Sequence, residues 1–492
     1  MGRSGCVAVL GALYAATVSG QPFSMDIQAI PGRPARPTKQ PCDSTIVPEI
    51  RWSGTSVRIY LEHTDGTEGG CATLTSIRAA LAADVDALTL VDAATKTWEL
   101  RADLFVQSGV TLQLYGGNDG DVNELRFYSA PGEFYNLRGY GGNIDIMDTH
   151  IFGADSSGNP QTDYESGRSY ISCITEYNRG DDCTKTDPIQ GFCRMDIVMS
   201  EIDHLGWFDS ESYGLTWKAR GLCTEEGLRN LDMFDTVAVT GDMTGSNIHN
   251  LYYGMYSYGH QGGIFNNNEM HDNIQYGFDP HDDSDWMTFH NNLVYNNGNH
   301  GIIASQRCNH VSIQNNEVYG GDQAGIFLHR SSNFAVVRGN YAHDNADAGL
   351  AVMESMSLDV NNNRFEDNYY GIRLSVGSSD NTFSDNTVSG STQYNIYSYE
   401  GSDELQAADT KRMQNNEFEG NTVAGPSSES IKWQYADNTV FDSNTFEGAQ
   451  EWRFVDSDET SFVGNTYTAS SVDLTVESGT CFTSASQLTP SC

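Results

Sequence analysis

From about residue 250 onward, the sequence repeats itself with a period in the low twenties. A glycine followed by an aliphatic or aromatic residue recurs at Gly254, Gly277, Gly301, Gly325, Gly349 and Gly371, with Asn395 at the next equivalent position. The successive spacings are 23, 24, 24, 24, 22 and 24 residues. A repeat of this length, made of short strand-like runs and tight turns, is typical of a solenoid in which each repeat packs only on its neighbours.

An asparagine forms a second marker with the same period. It follows short strand-like segments such as MTFHN, VSIQN and TFSDN. Its positions are Asn268, Asn292, Asn316, Asn340, Asn363, Asn386, Asn416, Asn444 and Asn465. A column of asparagines at one inward turn can hydrogen-bond from repeat to repeat and satisfy buried turn backbone. We therefore interpret these asparagines as structural.

The repeats predict an all-β fold, a right-handed parallel β-helix solenoid with a short N-terminal helical cap. No helical pattern lies between the strand-like runs, which argues against leucine-rich repeats. In a β-helix each repeat is one rung, and equivalent positions stack about 4.8 Å apart. The segment TLTSIRAALAAD, residues 73–84, has helical spacing and is the predicted cap.

The chain ends predict export and a division into four segments. The first 20 residues contain one arginine, an apolar run and then small residues, as a secretory signal peptide does. We expect a signal peptide at 1–20, a Pro-rich, Cys-containing lead at 21–72, a β-helix catalytic domain at 73–475 and a Cys-containing tail at 476–492. No later run is long and apolar enough to span a membrane. The expected location is therefore extracellular, in the cell wall or matrix, without membrane contact after signal removal.

The cysteines fit an oxidising compartment. Nine of the ten remain after signal removal, so at least one is unpaired. Cys42–Cys71 and Cys481–Cys492 are the predicted terminal pairs, and Cys308 is the predicted free thiol. The other four can pair in three ways: Cys173, Cys183, Cys193 and Cys223. Their spacings match no common zinc motif.

The formal net charge of −39 restricts the partners. A protein that binds nucleic acid through its phosphates would show a basic footprint, and the chain as a whole has none. An anionic ligand is still compatible with this charge, because salt screens distant charges within roughly 3–10 Å. Local positive charge in a groove would then decide binding.

Such local charge is predicted on one face of the solenoid. Residues at equal offsets from the marker glycines should stack in columns. Two positions after the glycine lie Tyr256, Asp279 and Arg373, and four positions after it lie Tyr258, His281 and His329. The segment YGLTWKARG places Lys218 in the second column, while Arg307 and Arg330 follow at offsets six and five. This face predicts a shallow groove for an extended anionic polymer; the alternative is a solvated face with incidental Arg and His.

The segment YGFDPHDDSD, residues 276–285, lies within this face. A calcium ion held by Asp282, Asp283 and Asp285 is one interpretation, although the segment lacks the ligand spacing and turn glycine of an EF-hand loop. One histidine among aspartates forms no recognisable zinc set. We therefore assign no metal ligands in this segment and leave calcium as an open alternative.

YGFDPH, the asparagine-laddered repeats around it, and HGIIASQR with Arg307 26 residues beyond His281 resemble mannuronan C5-epimerases. These enzymes modify alginate in brown algae and in alginate-producing bacteria, and the match covers roughly residues 200–400. Within the family we expect the brown-algal type. We also expect a single-domain form, similar to the bacterial periplasmic enzyme, because the Gly-Asp-rich calcium repeats of the modular enzymes are absent from the sequence. The resemblance implies that Tyr276, Asp279, His281 and Arg307 belong to the active site. The expected substrate-binding residues are Lys218, Tyr256, Tyr258, His329, Arg330 and Arg373.

The resemblance implies an activity and a partner. The partner is alginate or polymannuronate. The reaction converts β-D-mannuronate to α-L-guluronate within the polymer, by removal of the C5 proton and return of a proton to the opposite face. Two alternatives stay open: a polysaccharide lyase on the same fold, which needs a similar base and charge neutraliser, and a non-catalytic polysaccharide-binding β-helix.

Overall fold

The computed structural model describes residues 42–61, 69–178, 187–188, 191–221, 238–425, 429–468, 472–477 and 479–485. All of them lie in one compact unit, Pro34–Cys492. They form a parallel β-helix whose rungs contribute to three long sheets. The expected signal peptide, and the lead up to residue 41, lie outside the described residues. None of the helices in the described part is long and apolar enough to cross a membrane.

Sheet 1 has 17 strands and carries the predicted columns. Its strands are Glu49–Trp52, Ser56–Tyr60, Asp103–Gln107, Leu137–Tyr140, Ile171–Asn178, Asp187–Pro188, Gly214–Arg220, Tyr253–Tyr258, Phe278–His281, Ile302–Ser305, Ile326–His329, Ala348–Met353, Tyr370–Ser375, Tyr394–Tyr399, Ile431–Gln434, Gln450–Val455 and Val472–Val476.

Sheets 2 and 3 form the other two faces of the rungs. Sheet 2 consists of Gly70–Ala72, Val110–Tyr115, Asn143–Met147, Met195–Val198, Asp242–Thr244, Ile264–Asn266, Thr288–His290, Ser312–Gln314, Val336–Arg338, Asp359–Asn361, Thr382–Ser384, Glu417–Glu419, Val440–Asp442, Thr460–Val463 and Phe482–Ala485. Sheet 3 consists of Leu88–Asp92, Thr97–Leu100, Glu124–Ala130, Glu133–Phe134, His150–Ala154, Glu201–Asp203, Asn247–His249, Glu269–His271, Leu293–Tyr295, Glu317–Tyr319, Tyr341–His343, Arg364–Glu366, Thr387–Ser389, Thr422–Ala424, Thr445–Glu447 and Thr466–Tyr467. A separate pair joins Met413–Gln414 to Ala436–Asp437.

The core fills the interior of the coil with stacked apolar side chains. Because side chains alternate along a strand, each short strand sends one or two residues inward and the others outward. Phe265 and Phe289 occupy equivalent inward positions and stack with ring centroids 5.3 Å apart. Phe418 stacks in the same way on Phe441 at 5.0 Å. Like residues thus contact like residues along the coil, which is why a short period suffices to encode the core.

The marker glycines are explained by close contact between rungs. A Cβ atom at Gly277 would lie 2.5 Å from the carbonyl oxygen of Gly301, well inside van der Waals contact. At Gly301 it would lie 2.4 Å from Val318 and 2.8 Å from the carbonyl oxygen of Gly325. A larger residue at either position would push the rungs apart, which explains why the regular rungs have glycine here.

The asparagine ladder is confirmed as an inward column. The Oδ1 of Asn316 accepts hydrogen bonds from the backbone N–H and the side chain of Asn292, both at 2.9 Å. Its Nδ2 donates to the carbonyl of Phe289 at 3.0 Å and to Oδ1 of Asn340 at 2.9 Å. Each member therefore satisfies backbone groups that the turn would otherwise bury without partners.

One predicted member of the ladder is wrong. Asn421, and not Asn416, connects Asn386 to Asn444, through bonds of 3.0 Å on each side. Asn416 lies at a different turn, where it accepts a hydrogen bond from the backbone of Asn381 at 3.3 Å. The rung here is lengthened so that ladder neighbours are 35 residues apart, and counting by the period selects the wrong asparagine.

The solenoid has a helix near its N-terminal end, as expected. The α-helix Leu74–Ala80 begins at Thr73, whose side chain accepts from the backbone of Ser76 in a capping box. Leu74 and Ile77 bury into the core. Strands also pair outside the range 73–475: Ser56–Tyr60 joins sheet 1, and Phe482–Ala485 joins sheet 2.

The disulfides agree with the expectations wherever the structure describes them. Cys42 pairs with Cys71, and Cys173 pairs with Cys193. Cys308 is free and buried. Cys481 is disulfide-bonded, while its expected partner Cys492 lies outside the described residues, as do Cys183 and Cys223.

Candidate functional site

The predicted columns form the outer surface of sheet 1. In the sheet register Lys218 aligns with Tyr258, Tyr258 with His281, His281 with Ser305, and Ser305 with His329. In the neighbouring column Tyr256 aligns with Asp279. The stacking of polar side chains at offsets two and four from the marker glycines is thus confirmed.

A tight turn follows each of these strands and directs charged residues toward the columns. Asp282 and Asp283 both lie in the left-handed region, with φ of 34° and 57°. Non-glycine residues adopt this conformation at a cost of about 1–2 kcal/mol each, so the surroundings must hold it. The hydroxyl of buried Ser284 does so by donating to the carbonyl of His281 at 2.8 Å. In the next rung Cys308 takes the place of this serine, with Sγ 3.4 Å from the carbonyl of Ser305.

The turn builds a hydrogen-bonded network around His281. Its Nδ1 bonds to Oδ2 of Asp282 at 2.5 Å. Arg307 contacts the other oxygen of Asp282 through Nη2 and binds Asp283 through Nε at 2.8 Å and Nη2 at 3.1 Å. Because these bonds use Nε and Nη2, the third guanidinium nitrogen, Nη1, takes no part in them. The network therefore orients the imidazole with its Nε2 as the second, available ring nitrogen.

Opposing effects set the protonation of His281. Burial disfavours the imidazolium, but the hydrogen bond to Asp282 and the charges of Asp279 and Asp282 outweigh it, so the pKa of His281 is raised. The pKa of Asp282 is lowered: its burial is outweighed by the hydrogen bonds and charges of His281 and Arg307. Asp282 is therefore the ionised acceptor, and Nδ1 of His281 carries the donated proton.

Asp279 is a buried carboxyl group beside this network. Only 2% of the residue is exposed, and its Oδ1 has no hydrogen-bond partner within the described structure. Burial, helped by the negative charge of Asp282 and opposed by His281, raises the pKa of Asp279 to about 7. A buried acid with a pKa near neutrality beside a charged network is typical of a functional site.

Aromatic side chains border the network. The ring of Tyr256 lies 5.7 Å from that of His281, and Tyr213 packs edge-on against Tyr256 at 4.9 Å. Burial and the charge of Asp279 raise the pKa of Tyr256, and they raise the pKa of Tyr276 to about 12. These hydroxyl groups therefore stay protonated at neutral pH.

Of a third column, the sequence analysis named only Tyr276. It lies one position before the marker glycines and contains Tyr213, Tyr253, Tyr276, His300, Tyr370 and Tyr394. His300 stacks on Tyr276 at 5.8 Å, and its Nδ1 accepts the backbone N–H of Ala324 at 3.1 Å. Burial, Arg373 and His329 lower the pKa of His300 to about 3, so it is neutral with its proton on Nε2. The sequence signal for this column was an aromatic residue or histidine directly before most of the marker glycines.

Lys218 and Tyr258 lie on the N-terminal side of His281. The Lys218 ammonium is 3.1 Å from Glu211 and 5.6 Å from the centroid of the Tyr258 ring. Burial lowers the pKa of Lys218, with Asp282 opposing that effect. Lys218 is thus a partly desolvated cation within the field of the Asp282 carboxylate.

The loop 400–412 borders the site on its C-terminal side. Buried Glu354 accepts the backbone N–H groups of residues 406–408 through one oxygen, at 2.6, 2.6 and 3.0 Å. Asp403 of the loop pairs with Arg330 at 3.2 Å, and Leu405 packs on the apolar cluster that includes Phe327. The anchored loop makes a wall beside His329, whose Nδ1 is 3.1 Å from the Ser305 hydroxyl.

Arg373 is the predicted site residue that lies furthest along the coil. It shares a column with Asp279 but is four rungs away, or about 19 Å at the usual strand spacing. Asp347 binds it at 2.8 Å. This backbone separation places Arg373 outside the hydrogen-bonded network of His281, although its charge reaches His300.

The calcium interpretation does not fit the turn. Arg307 binds Asp282 and Asp283, and Asp285 accepts the backbone N–H of Asn309 at 2.6 Å. A calcium ion needs six to eight oxygen ligands, and here a guanidinium already occupies the carboxylates. The chemistry proposed for this site therefore has no step through a metal at this turn.

Two family models match parts of the chain. One, described as "Right handed beta helix region", matches residues 235–388, and another, "Periplasmic copper-binding protein (NosD)", matches residues 330–487. No curated protein sequence matches the chain.

Solved structures with the same fold include the periplasmic alginate epimerase AlgG. It is 17% identical, with a TM-score of 0.62 over 84% of this chain and 85% of that one. A double mutant of AlgG is 17% identical, with a TM-score of 0.62 over 86% and 85%. The A-module of Azotobacter vinelandii mannuronan C-5 epimerase AlgE4 is 14% identical over 70% of this chain and 88% of that one, with a TM-score of only 0.39. The similarity to AlgG shows the fold, a right-handed parallel β-helix over most of the chain.

Proposed function

We propose that the protein is an enzyme acting on a uronate polysaccharide, and specifically a mannuronan C5-epimerase acting on alginate. The observation that carries the proposal is the network of His281, Asp282 and Arg307 beside the buried acid Asp279. It lies on a continuous solenoid face that holds cations and tyrosines in an otherwise acidic chain. AlgG, an alginate epimerase, has the same fold, which supports this choice.

The C5 proton of a mannuronate residue is weakly acidic until the neighbouring carboxylate is neutralised. In the proposal, three groups neutralise the substrate carboxylate: Nη1 of Arg307, the ammonium of Lys218, and Asp279 in its protonated form. Charge-assisted bonds to the carboxylate strengthen as negative charge moves onto it, so they favour the transition state over the bound substrate.

The proton transfers need two groups on opposite faces of the sugar. His281 Nε2 takes the C5 proton, because Nδ1 is committed to Asp282 and the resulting imidazolium is stabilised by that carboxylate. A tyrosine that stays protonated at neutral pH, Tyr256 or Tyr276, gives its hydroxyl proton to C5 from the other side. The tyrosinate regains a proton through solvent, and His281 releases its own, which returns the site to its starting state.

The polymer would extend along sheet 1. Tyr258 and His329 flank the site on either side in the His281 column, with Arg330 and Arg373 toward the C-terminal rungs. Successive rungs offer repeated positions to a linear ligand, so these residues are proposed to hold neighbouring sugars.

Export from the cytoplasm belongs to the same proposal. Two disulfides fit an oxidising compartment, and AlgG is described as periplasmic. The brown-algal type of this family remains part of the proposal.

The deciding experiment is proton NMR of polymannuronate incubated with the protein in deuterated water. An epimerase produces guluronate signals and incorporates deuterium at C5. A lyase instead produces an unsaturated sugar that absorbs in the ultraviolet, and a binding protein produces neither change. His281→Gln should abolish turnover. Although the side chain is only 25% exposed, glutamine can still donate a hydrogen bond to Asp282, so we expect the variant to fold with a modestly lowered melting temperature. Retained turnover in this variant would overturn the assignment of His281.

A further inference from the structure

We propose that His150, Glu201 and Asp203 form a binding site for a divalent transition-metal ion of the zinc type on the outer face of sheet 3. The ligand atoms of these residues all lie within 4.8 Å of one another. Within the described ranges, this is the one group of three His, Cys, Asp or Glu side chains that meets this geometry. It is on a different sheet from the groove and does not depend on the proposed function.

The register of two strands creates the cluster. His150–Ala154 pairs in parallel with Glu201–Asp203, so that His150 stands directly against Glu201. Asp203 lies two residues further along the same face, and its Oδ2 is 2.6 Å from Nε2 of His150. The His150 ring stacks on Phe152 at 4.7 Å, which restricts the rotation of the imidazole. Three ligands on adjacent rungs are therefore held in position by the sheet itself.

Two further imidazoles surround the cluster. His204 Nδ1 contacts the second oxygen of Asp203, and His249 Nε2 lies 3.2 Å from Glu201. On its other side His249 Nδ1 bonds to Asn250 at 2.8 Å. Such outer hydrogen bonds fix the ring orientation of ligands and of their neighbours in metal sites. A water molecule would complete the set of four ligands.

The donor set distinguishes between metal ions. Zinc takes four ligands and binds imidazole nitrogen together with carboxylate oxygen. Calcium and magnesium prefer sites made of oxygen alone, with six or more ligands. One imidazole between two carboxylates, with two more imidazoles adjacent, therefore favours zinc over either hard cation. The buried Asp203, only 3% exposed, supplies an anionic ligand shielded from solvent.

The test uses the full chain, stripped with EDTA and desalted, then titrated with zinc chloride in the presence of millimolar calcium. We expect one saturable zinc site per chain with a Kd of 10 µM or lower, and a melting temperature several degrees higher with zinc than without. Cobalt(II) bound in place of zinc should show visible d–d absorption bands, as expected for a low-symmetry site with a nitrogen ligand.

Variants locate the ion. His150→Ala and Glu201→Gln should each weaken zinc binding at least tenfold and remove the rise in melting temperature; Glu201 is 48% exposed in its side chain, so its substitution leaves the fold intact. His290→Ala is the matched control, because His290 is a half-buried histidine of sheet 2 bonded to Asn315. No saturable binding, many weak sites spread over the acidic surface, or equal binding by all three variants would overturn the proposal.

Discussion

At the scale of single residues, Asp279 couples stability to pH. Its pKa is about 7 in the folded protein against an ordinary value of 3.8. Well below pH 3.8 the carboxyl group is protonated in both states, so its ionisation does not affect stability there. As the pH rises toward 7, the unfolded chain loses the proton while the folded one keeps it. Stability therefore falls over this range, by up to about 4 kcal/mol.

Asp279→Asn should remove this loss, since asparagine does not ionise. We expect the variant to melt at a higher temperature than the wild type at pH 8, with a much smaller difference at pH 4 and with activity lost at both. Thermal unfolding followed by circular dichroism at the two pH values tests this. Asp322→Asn, at an exposed position, is the control. A difference in melting temperature that is the same at both pH values would contradict the buried acid.

The pairing of Asp282 with His281 sets the pH at which His281 titrates. The bond and charge of Asp282 raise the pKa of His281, so Asp282→Asn should lower it. If neutral His281 is the base, the acid limb of the kcat/KM profile should move to lower pH. The maximal rate should also fall about 10–100-fold, because the imidazole loses its charged orienting partner. An unshifted acid limb with a reduced rate would make Asp282 a structural residue only.

Three arginines along sheet 1 should have different kinetic effects. Arg307→Ala should mainly lower kcat, since the charge next to it grows during proton abstraction. Arg330→Ala and Arg373→Ala should mainly raise KM, because contacts to flanking sugars are the same in the bound substrate and the transition state. Steady-state kinetics on polymannuronate test this, with Arg364→Ala on sheet 3 as the control. Equal effects of the three groove variants would refute this division of roles.

At the scale of structural elements, the asparagine ladder carries much of the rung stability. Asn316→Ala would remove two donated bonds and leave two donors of Asn292 without their acceptor, in a position 2% exposed. Unpaired buried polar groups cost about 1–3 kcal/mol each, so we expect a loss of about 3–5 kcal/mol. Asn299→Ala, whose side chain makes a 3.3 Å bond to Gln275 at the half-buried surface, should cost under about 1 kcal/mol. Urea unfolding of both variants measures the difference; similar losses would show that the ladder adds little.

At the scale of the whole molecule, the net charge of −39 would repel the proposed polyanionic substrate. Screening lengths fall from roughly 10 Å at 0.1 M salt to roughly 3 Å at 1 M. Distant carboxylates are therefore screened first, while close contacts to Lys218 and Arg307 persist. Activity should rise with moderate salt and fall at high salt. Initial rates across a salt series test this, and a steady decrease from the lowest concentration upward would contradict it.

The sequence by itself determined the solenoid and the positions of its surface columns. In a β-helix each residue's face depends on its offset within one rung, so a regular period of about 24 residues places Asp279 and His281 without further information, while Lys218, 40 residues before its aligned partner Tyr258, was placed by the similarity of the segment YGLTWKARG. Cys308, the predicted free thiol, is unpaired in the structure and occupies a turn site that serine fills in the preceding rung.

Only the tertiary structure decided what the period does not encode. The spacing placed Arg307 near His281, but its pairing with Asp282 and Asp283 depends on side-chain directions at two left-handed turn residues. Asn416 was predicted in the ladder in place of Asn421 because one rung is lengthened. His150, Glu201 and Asp203 come together from coils of irregular length, 51 residues apart at the aligned pair, where no repeat exists to count. Contacts between rungs of unequal length are set by packing in three dimensions, and that is the physical reason they cannot be predicted from the sequence period.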